Sequence, residues 1–165
     1  MTSERAASHL RWNAKSNEAV SVIRPAVPTD FPALVAIWES SVRATHDFLT
    51  EADIDFYRPL VFTYLPTLSV CCLVVSPGEI VGFVAVGGDQ IEMLFIDARA
   101  RGRGAGKALL AHAVDHMGAF RVDVNEQNTQ AVGFYRHAGF QVTGRSPLDG
   151  TGKAFPLLHM SVAAS

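Results

Sequence analysis

The chain has 165 residues and nearly balanced charge, with 14 lysines and arginines against 16 aspartates and glutamates and a net charge of −2. A length of this order predicts one domain, and a hydrophobic content of 48% is ample for its core. The near-neutral charge argues against a nucleic-acid-binding surface. No apolar run approaches the roughly 18 residues that a membrane-spanning helix needs, so we expect neither nucleic-acid nor membrane partners.

The N-terminal residues and the cysteines bear on the domain boundary and the compartment. Residues 1–20 are polar and lack the apolar centre of a secretory signal, so we expect a flexible N-terminal extension followed by one domain at 21–165. Cys71 and Cys72 are adjacent. Neighbouring residues of a strand point to opposite faces, which disfavours a bridge between these two. A chain without a disulfide framework is typical of a reducing compartment, which predicts a cytoplasmic protein.

Hydrophobic periodicity predicts strands and helices along the rest of the chain. Thr50 and Asp53 form a capping box at the start of the second helix, and Gly139 follows the last helix in a position that favours glycine. We expect strands at 21–24, 69–76, 80–86, 91–96, 120–124, 140–143 and 157–162, and helices at about 30–42, 50–64, 107–117 and 129–138. The order βααβββαβαββ predicts a mixed α/β (α+β) layer fold, with helices on a central sheet of about six to seven strands.

The stretch at 91–111 is the most informative part of the sequence. It begins with a short apolar run that is typical of a buried strand and ends with apolar residues at helical spacing. Between the two lies the run RGRGAG at 101–106. Glycines let backbone N–H groups point the same way, and the start of the helix adds free N–H groups and a positive dipole end. Because Arg101, Arg103 and Lys107 add positive charge, the loop is predicted to bind phosphate.

The glycine spacing excludes two common kinds of phosphate-binding loop. A Walker A loop needs glycine and then serine or threonine where this chain has Arg101 and Ala108, and the dinucleotide fingerprint needs glycine at Lys107. The pattern that fits is (Arg/Gln)-x-x-Gly-x-(Gly/Ala), with Gly104 and Gly106 in the glycine positions. It resembles the acetyl-CoA pyrophosphate loop of the GNAT superfamily of N-acetyltransferases. An ordinary glycine-rich connector is the competing interpretation.

A second motif lies at 125–140. The pattern Asn-x-x-Ala-x-x-Phe-Tyr-x-x-x-Gly-Phe, from Asn128 to Phe140, resembles the next GNAT motif at the expected distance from the phosphate loop. Taken alone, Phe134 and Tyr135 are better explained as a buried helix face. Together the two motifs cover about half of a domain of this type. The resemblance to small bacterial members of the superfamily extends over nearly the whole chain after residue 20.

The resemblance implies a single GNAT domain with helices on both faces of the sheet. It also implies that the strands at 91–96 and 120–125 splay apart, and that acetyl-CoA binds between them as cosubstrate, its pantetheine arm paired with the first strand. The implied activity is transfer of an acetyl group to a primary amine of a small molecule or protein, by direct attack in a ternary complex. The implied cofactor-binding residues are Leu94, Phe95, Ile96, Arg101, Gly102, Arg103, Gly104, Ala105, Gly106, Lys107, Asn128 and Tyr135.

Three residues are candidates for catalysis. Tyr135 is the candidate acid for the leaving thiolate, because its ordinary pKa of about 10 is a fair match to an alkyl thiol. Glu92 is the candidate base, acting through water, although a solvated or paired strand carboxylate explains it equally well. His46, in the loop between the two helices, is the other candidate base or acceptor-site residue, with loop packing as its alternative. Asn128 would contact pantetheine, cap a helix, or do both.

Several alternatives remain open at this point. A non-catalytic module that senses acyl-CoA has the same fold, and a toxin that acetylates aminoacyl-tRNA is disfavoured by the charge. A metal site is not expected, because His112 and His116 lack a third ligand at a suitable spacing. The sequence identifies neither the acceptor amine nor the oligomeric state, monomer or homodimer.

Overall fold

The structure is a computed structural model that describes residues 8–14 and 17–163. Its elements are β1 (Ser8–Ala14), β2 (Asn17–Pro25), α1 (Phe31–Thr45), α2 (Glu51–Tyr64), β3 (Ser69–Val75), β4 (Glu79–Gly87), β5 (Gln90–Ile96), α3 (Ala105–His116), β6 (Arg121–Asn125), α4 (Thr129–His137), β7 (Gln141–Ser146) and β8 (Leu157–Ser161). The seven strands and four helices that periodicity predicts are all present in the predicted order.

The strands form one mixed sheet in the order β1-β2-β3-β4-β5-β6-β8-β7. All neighbouring pairs are antiparallel except β5 and β6. Parallel neighbours need a crossover connection, and α3 supplies it here. The phosphate-loop motif therefore lies at the one connection in the described sheet that joins two parallel strands.

Helices cover both faces of the sheet, as expected. On one face, residues of α3 and α4 pack with β2 to β6 and with β8, and Leu109 and Met160 there are at most 1% exposed. On the other face, α1 and α2 pack against β3, β4 and β5, with Leu34 and Phe83 fully buried. No residue of β6, β7 or β8 belongs to this second cluster, so this part of the sheet has no helix packed over it among the described residues.

Local signals at the helix ends behave as predicted. Thr50 Oγ1 accepts a hydrogen bond from Asp53 N at 3.1 Å, and the Asp53 carboxylate accepts one from Thr50 N at 3.0 Å. This pair is the predicted capping box, and it fixes the start of α2 directly after the loop that carries His46. Pro59 lies inside α2 without ending it.

The first strands begin earlier in the chain than predicted. The sequence predicts a domain that starts at residue 21, whereas the structure has β1 at Ser8–Ala14 and begins β2 at Asn17. The two strands pair antiparallel, from Ser8↔Ile23 to Ala14↔Asn17. A strand that pairs along the outer edge of β2 covers backbone groups that the edge would otherwise expose. Residues 1–7 and 15–16 lie outside the described residues, and the flexibility of the extension stays a prediction.

Cys71 and Cys72 are both buried and unbridged. They are neighbours on β3 and belong to the packing clusters on opposite faces, as strand geometry requires. In the part of the chain that the structure describes, none of the helices combines the length and hydropathy needed to cross a bilayer.

Candidate active site

The parallel strands β5 and β6 separate soon after they meet. They pair only at Gln90↔Arg121 and Ile91↔Val122. Beyond these pairs β5 continues along β4 and β6 continues along β8. From residue 92 to 96 the side of β5 that faces β6 therefore has no strand partner among the described residues. This edge leaves backbone donors and acceptors available to an extended ligand.

A bulge in β5 marks the point of separation. Ala85 pairs with Met93 and Val86 with Ile91, so Glu92 is one extra residue between two neighbouring pairs. A bulge disrupts the ladder locally and bends the strand. It also shifts the alternation of side chains, so that Ile91 packs on the α3 face and Met93 on the α1 face.

The loop between β5 and α3 has the backbone conformation that its glycines allow. Gly102 and Gly104 have φ values of 76° and 84°, and a Cβ at either position would meet nothing within 4 Å. These glycines thus serve the backbone conformation, not close packing. The N–H groups of Gly102, Gly104, Ala105 and Gly106 donate to no backbone acceptor among the described residues. Such a set of N–H groups at a helix start is suited to an anion.

A cleft of about 390 Å³ opens between the separated strands, this loop and the end of α1. All the predicted cofactor-binding residues line it except Arg103 and Tyr135, and His46 lines it as well. Glu92 is not among the lining residues. The full lining is Ser41, Thr45, His46, Leu94, Phe95, Ile96, Ala100, Arg101, Gly102, Gly104, Ala105, Gly106, Lys107, Asn128, Gln130, Ala131 and Phe134.

The lining suits a molecule with a diphosphate at one end and amides along an arm. Arg101 and Lys107 supply positive charge beside the free N–H groups. The Arg101 side chain is held across the cleft, because its Nη2 donates to Gln130 Oε1 at 2.8 Å. A Cβ at Gly106 would lie 3.5 Å from Phe134 Cζ, so glycine keeps the floor of the cleft open. The residues present therefore fit coenzyme A.

Asn128 both caps a helix and lines the cleft. Its Oδ1 accepts a hydrogen bond from Ala131 N at 3.2 Å, which fixes the start of α4. Its Nδ2 lies 3.5 Å from His46 Nε2 across the cleft. The two alternatives that the sequence leaves open for this residue are thus compatible in one geometry.

The tautomer of His46 follows from its neighbour. The hydroxyl of Thr45 donates its hydrogen to Ser41 O at 2.8 Å, so at 2.8 Å from His46 Nδ1 it is available only as an acceptor. The imidazole therefore carries its hydrogen on Nδ1, and the lone pair of Nε2 faces Asn128 and the cleft. Burial, with the charge of Arg101 second, lowers the pKa of His46 to about 4. The ring is neutral near pH 7 but weakly basic.

Glu92 has the opposite electrostatic environment. Burial and then the nearby Asp123 carboxylate raise its pKa above the ordinary value, and Arg121 opposes this only in part. A carboxylate with a raised pKa binds a proton more strongly near neutral pH. Of the two predicted bases, the surroundings thus make Glu92 the stronger and His46 the weaker.

Tyr135 lies in the core and not on the cleft wall. It is 6% exposed and packs edge-on against Phe134 and Phe140. Burial raises the pKa of its hydroxyl, which keeps the phenol protonated. It adjoins the cleft through Phe134, so its proposed role as an acid stays a prediction.

Six cleft residues were not identified from the sequence. They are Ser41, Thr45, Ala100, Gln130, Ala131 and Phe134. Gln130 and Phe134 lie within the second motif, whose spacing offered a signal. Ser41 and Thr45 lie on α1, and only the packing of α1 beside β5 brings them to the cleft.

Comparison with known proteins agrees with this geometry. Residues 69–162 match the family described as Acetyltransferase (GNAT) domain. The chain is 47% identical over 127 residues to the peptidyl-lysine N-acetyltransferase YjaB of Salmonella typhimurium, covering 77% of this chain and 88% of that protein.

Solved structures show the same fold. The apo-form YjaB structure from Escherichia coli superposes with a TM-score of 0.80 at 41% identity, covering 88% of this chain and 99% of that one. The PaiA N-acetyltransferase of Thermoplasma acidophilum, solved with coenzyme A, has a TM-score of 0.68 at 18% identity, over 87% of this chain and 99% of that one. With the family match over most of the domain and the identity to YjaB, the chain belongs to the GNAT superfamily as an N-acetyltransferase.

Proposed function

We propose that this protein transfers the acetyl group of acetyl-CoA to the side-chain amine of a peptidyl lysine, by direct attack with both substrates bound. The observation that supports this most is the joining of two features in one cleft. The N–H groups of Gly102, Gly104, Ala105 and Gly106 donate to no backbone acceptor among the described residues and suit the diphosphate. The edge of β5 that faces β6 suits the amides of the pantetheine arm.

The acceptor class rests on the relatives and on the open side of the sheet. The YjaB relative is named as a peptidyl-lysine N-acetyltransferase. Beside the bulge, the face of β6, β7 and β8 without a packed helix leaves room for an extended chain. The adjoining helix α2 presents exposed apolar side chains, with Phe56 43% and Leu60 44% exposed, which are suited to contacts with a peptide.

The chain's own residues would supply three functions around the acetyl thioester that acetyl-CoA provides. Beyond Ile91 the side of β5 that faces β6 has no strand partner among the described residues, and an N–H group near Met93 or Leu94 is the proposed donor to the developing oxyanion. Glu92 is the proposed base for the lysine ammonium, acting from the open face of the sheet, because its raised pKa favours uptake of a proton.

His46 and Tyr135 have supporting roles in this proposal. His46 accepts hydrogen bonds at Nε2 and orients Asn128, since its lowered pKa makes it a poor final acceptor for the proton. Tyr135 holds its proton firmly, so we assign it hydrogen-bond donation toward the leaving sulfur. Tyr135→Phe should then keep acetyl-CoA affinity and lower kcat by about tenfold or more.

We also propose a cytoplasmic location. Two buried, unbridged cysteines are typical of a chain that works in a reducing compartment.

The deciding experiment measures thiol release from acetyl-CoA with a lysine peptide and with the same peptide carrying arginine in place of lysine. The proposal expects release with the first peptide alone. Gly104→Glu should abolish binding, because its side chain would project into the cleft. Gly118→Glu is the matched control, since Gly118 also has positive φ, 68°, and open space at its Cβ, but it follows α3 at the far end. Acetyl-CoA binding without thiol release for any amine would point instead to a sensing module.

A further inference from the structure

Three polar side chains on neighbouring strands form a hydrogen-bonded chain outside the cleft. His159 Nδ1 lies 2.6 Å from Asp123 Oδ1, and its Nε2 lies 2.7 Å from Ser146 Oγ. An ionised carboxylate only accepts, so Nδ1 carries the hydrogen and Nε2 accepts from the serine hydroxyl. The ring lies against Gly144, where a Cβ would be 3.4 Å from His159 Cδ2. This is the tautomer that leaves Nε2 able to take up a proton.

The register places this chain on the open face of the sheet. Val122 and Val124 of β6 pack in the cluster under α3, so Asp123 points to the opposite face. Asp123 pairs with His159 of β8, and paired residues of adjacent strands point their side chains to one face. This is the face on which no helix covers β6, β7 and β8, and it borders the bulge that carries Glu92.

The charged side chains around Glu92 show which of them acts on it from the side of the Asp123–His159–Ser146 chain. Arg121 lies nearby, but its guanidinium is paired with Asp89 at 2.6 Å. Arg145 is paired with Glu126, and it lies opposite Leu158, whose side chain packs on the other face. Tyr64, at the end of α2, is the neutral neighbour of Glu92. Asp123 is thus the carboxylate on this face that acts on Glu92.

We propose that His159, held between Asp123 and Ser146, is a relay residue that takes up the proton released by the acceptor ammonium through Glu92. This inference rests on the proposed function. The ammonium loses one proton to the Glu92 carboxylate, which passes it to His159 Nε2 through Ser146 or water. The second proton leaves the nitrogen with bond formation and ends on the departing sulfur. His159, whose side chain is 37% exposed, then releases its proton to solvent.

The charge balance explains why a relay is useful here. Burial and then the negative charge of Asp123 raise the pKa of Glu92, so the Asp123–His159 pair favours a proton on Glu92 while the pair is anionic. Once the pair gains the proton it is neutral, and Glu92 is ready for the next ammonium.

The kinetic test compares His159→Gln with Glu92→Gln and the double variant. We expect His159→Gln to lower kcat with a lysine peptide by about tenfold and to change the acidic limb of the pH profile, with KM for acetyl-CoA unchanged. The fold-loss of kcat in the double variant should be smaller than the product of the two single fold-losses, because both residues serve one proton path. His137→Gln, an exposed histidine of α4, is the control and should behave as wild type. Independent, multiplicative losses would overturn the relay.

A measurement without acetyl-CoA separates this inference from the proposed function. Side-chain NMR of the whole protein follows the protonation of the Glu92 carboxyl group with pH. In Asp123→Asn the midpoint for Glu92 should move to lower pH, because burial still raises the pKa of Glu92 but the second contribution, the charge of Asp123, is removed. An unchanged midpoint would contradict the proposed relay even if lysine acetylation were established. If the wild-type protein acetylated no amine, the proposed function would fail whatever the titration showed.

Discussion

At the scale of single residues, the same chain places two predicted bases in opposite environments. His46 is half-buried at the cleft wall, and burial and then the positive charge of Arg101 favour its neutral form. Glu92 is exposed by surface area, but its carboxyl group is partly desolvated and lies near that of Asp123, and both effects favour its neutral form. For a histidine this means a weaker base, whereas for a carboxylate it means a stronger one. Burial therefore separates two residues that the sequence treats as equal candidates.

The environment of His46 predicts a pH dependence of stability. In the unfolded chain a histidine has a pKa of about 6.5, so between about pH 6.5 and 4 the unfolded state binds more protons than the folded state. Stability is fully present above this window and falls as the pH drops through it. The free energy of unfolding of the wild type should fall between pH 7 and 5. In His46→Gln this fall should be about 2 kcal/mol smaller.

Urea unfolding at the two pH values measures this difference. His137→Gln, which removes an exposed histidine, is the control and should leave the wild-type difference in place. An equal loss of stability in wild type and His46→Gln would show that the ring is not buried in its neutral form.

At the scale of elements, helix α4 connects the fold to the cleft through one side chain. Asn128 begins the helix with Oδ1 and faces the cleft with Nδ2. A motif of this kind combines a structural and a binding requirement, and the sequence pattern alone does not separate them. Substitutions that keep the helix cap but remove the amide donor can separate the two requirements.

Asn128→Ala and Asn128→Ser form a pair that distinguishes the two roles. Alanine removes the cap and should lower the free energy of unfolding by about 1 kcal/mol, whereas serine is a good cap and should cost much less. Both lose the amide donor, so both should weaken acetyl-CoA binding. The measurements are urea unfolding and isothermal titration with acetyl-CoA. Wild-type affinity for acetyl-CoA in the serine variant would show that Asn128 acts only as a helix cap.

The elements also show what sequence can and cannot predict here. The phosphate loop is local: its glycines, its cations and the flanking strand and helix lie within twenty-odd consecutive residues. Capping boxes and helix stops are local for the same reason. The bulge at Glu92 and the chain formed by Asp123, Ser146 and His159 depend on strand register, which joins residues far apart in sequence. No local pattern specifies them, and the pairing of β1 with β2 was missed likewise.

At the scale of the whole molecule, the sheet has two parts that meet at the gap. β3 to β5 are packed between helices on both faces, whereas β6 and β8 have a packed helix on one face alone among the described residues. The cofactor cleft lies between the two parts, and the open face borders it. The position of the gap, set by two residue pairs between β5 and β6, thus determines where the two substrates would meet.

This arrangement predicts that coenzyme A stabilises the whole fold by bridging its two parts. Ligand at one hundred times its Kd adds about 2.7 kcal/mol, which corresponds to a rise in Tm of roughly 5–10 °C for a chain of this size. Pantetheine lacks the diphosphate and should give a much smaller rise at the same concentration, because the loop at 101–106 gains no partner. Thermal unfolding by calorimetry tests both, with salt added to confirm screening of the phosphate contacts. An equal rise with both ligands would place the binding energy outside the phosphate loop.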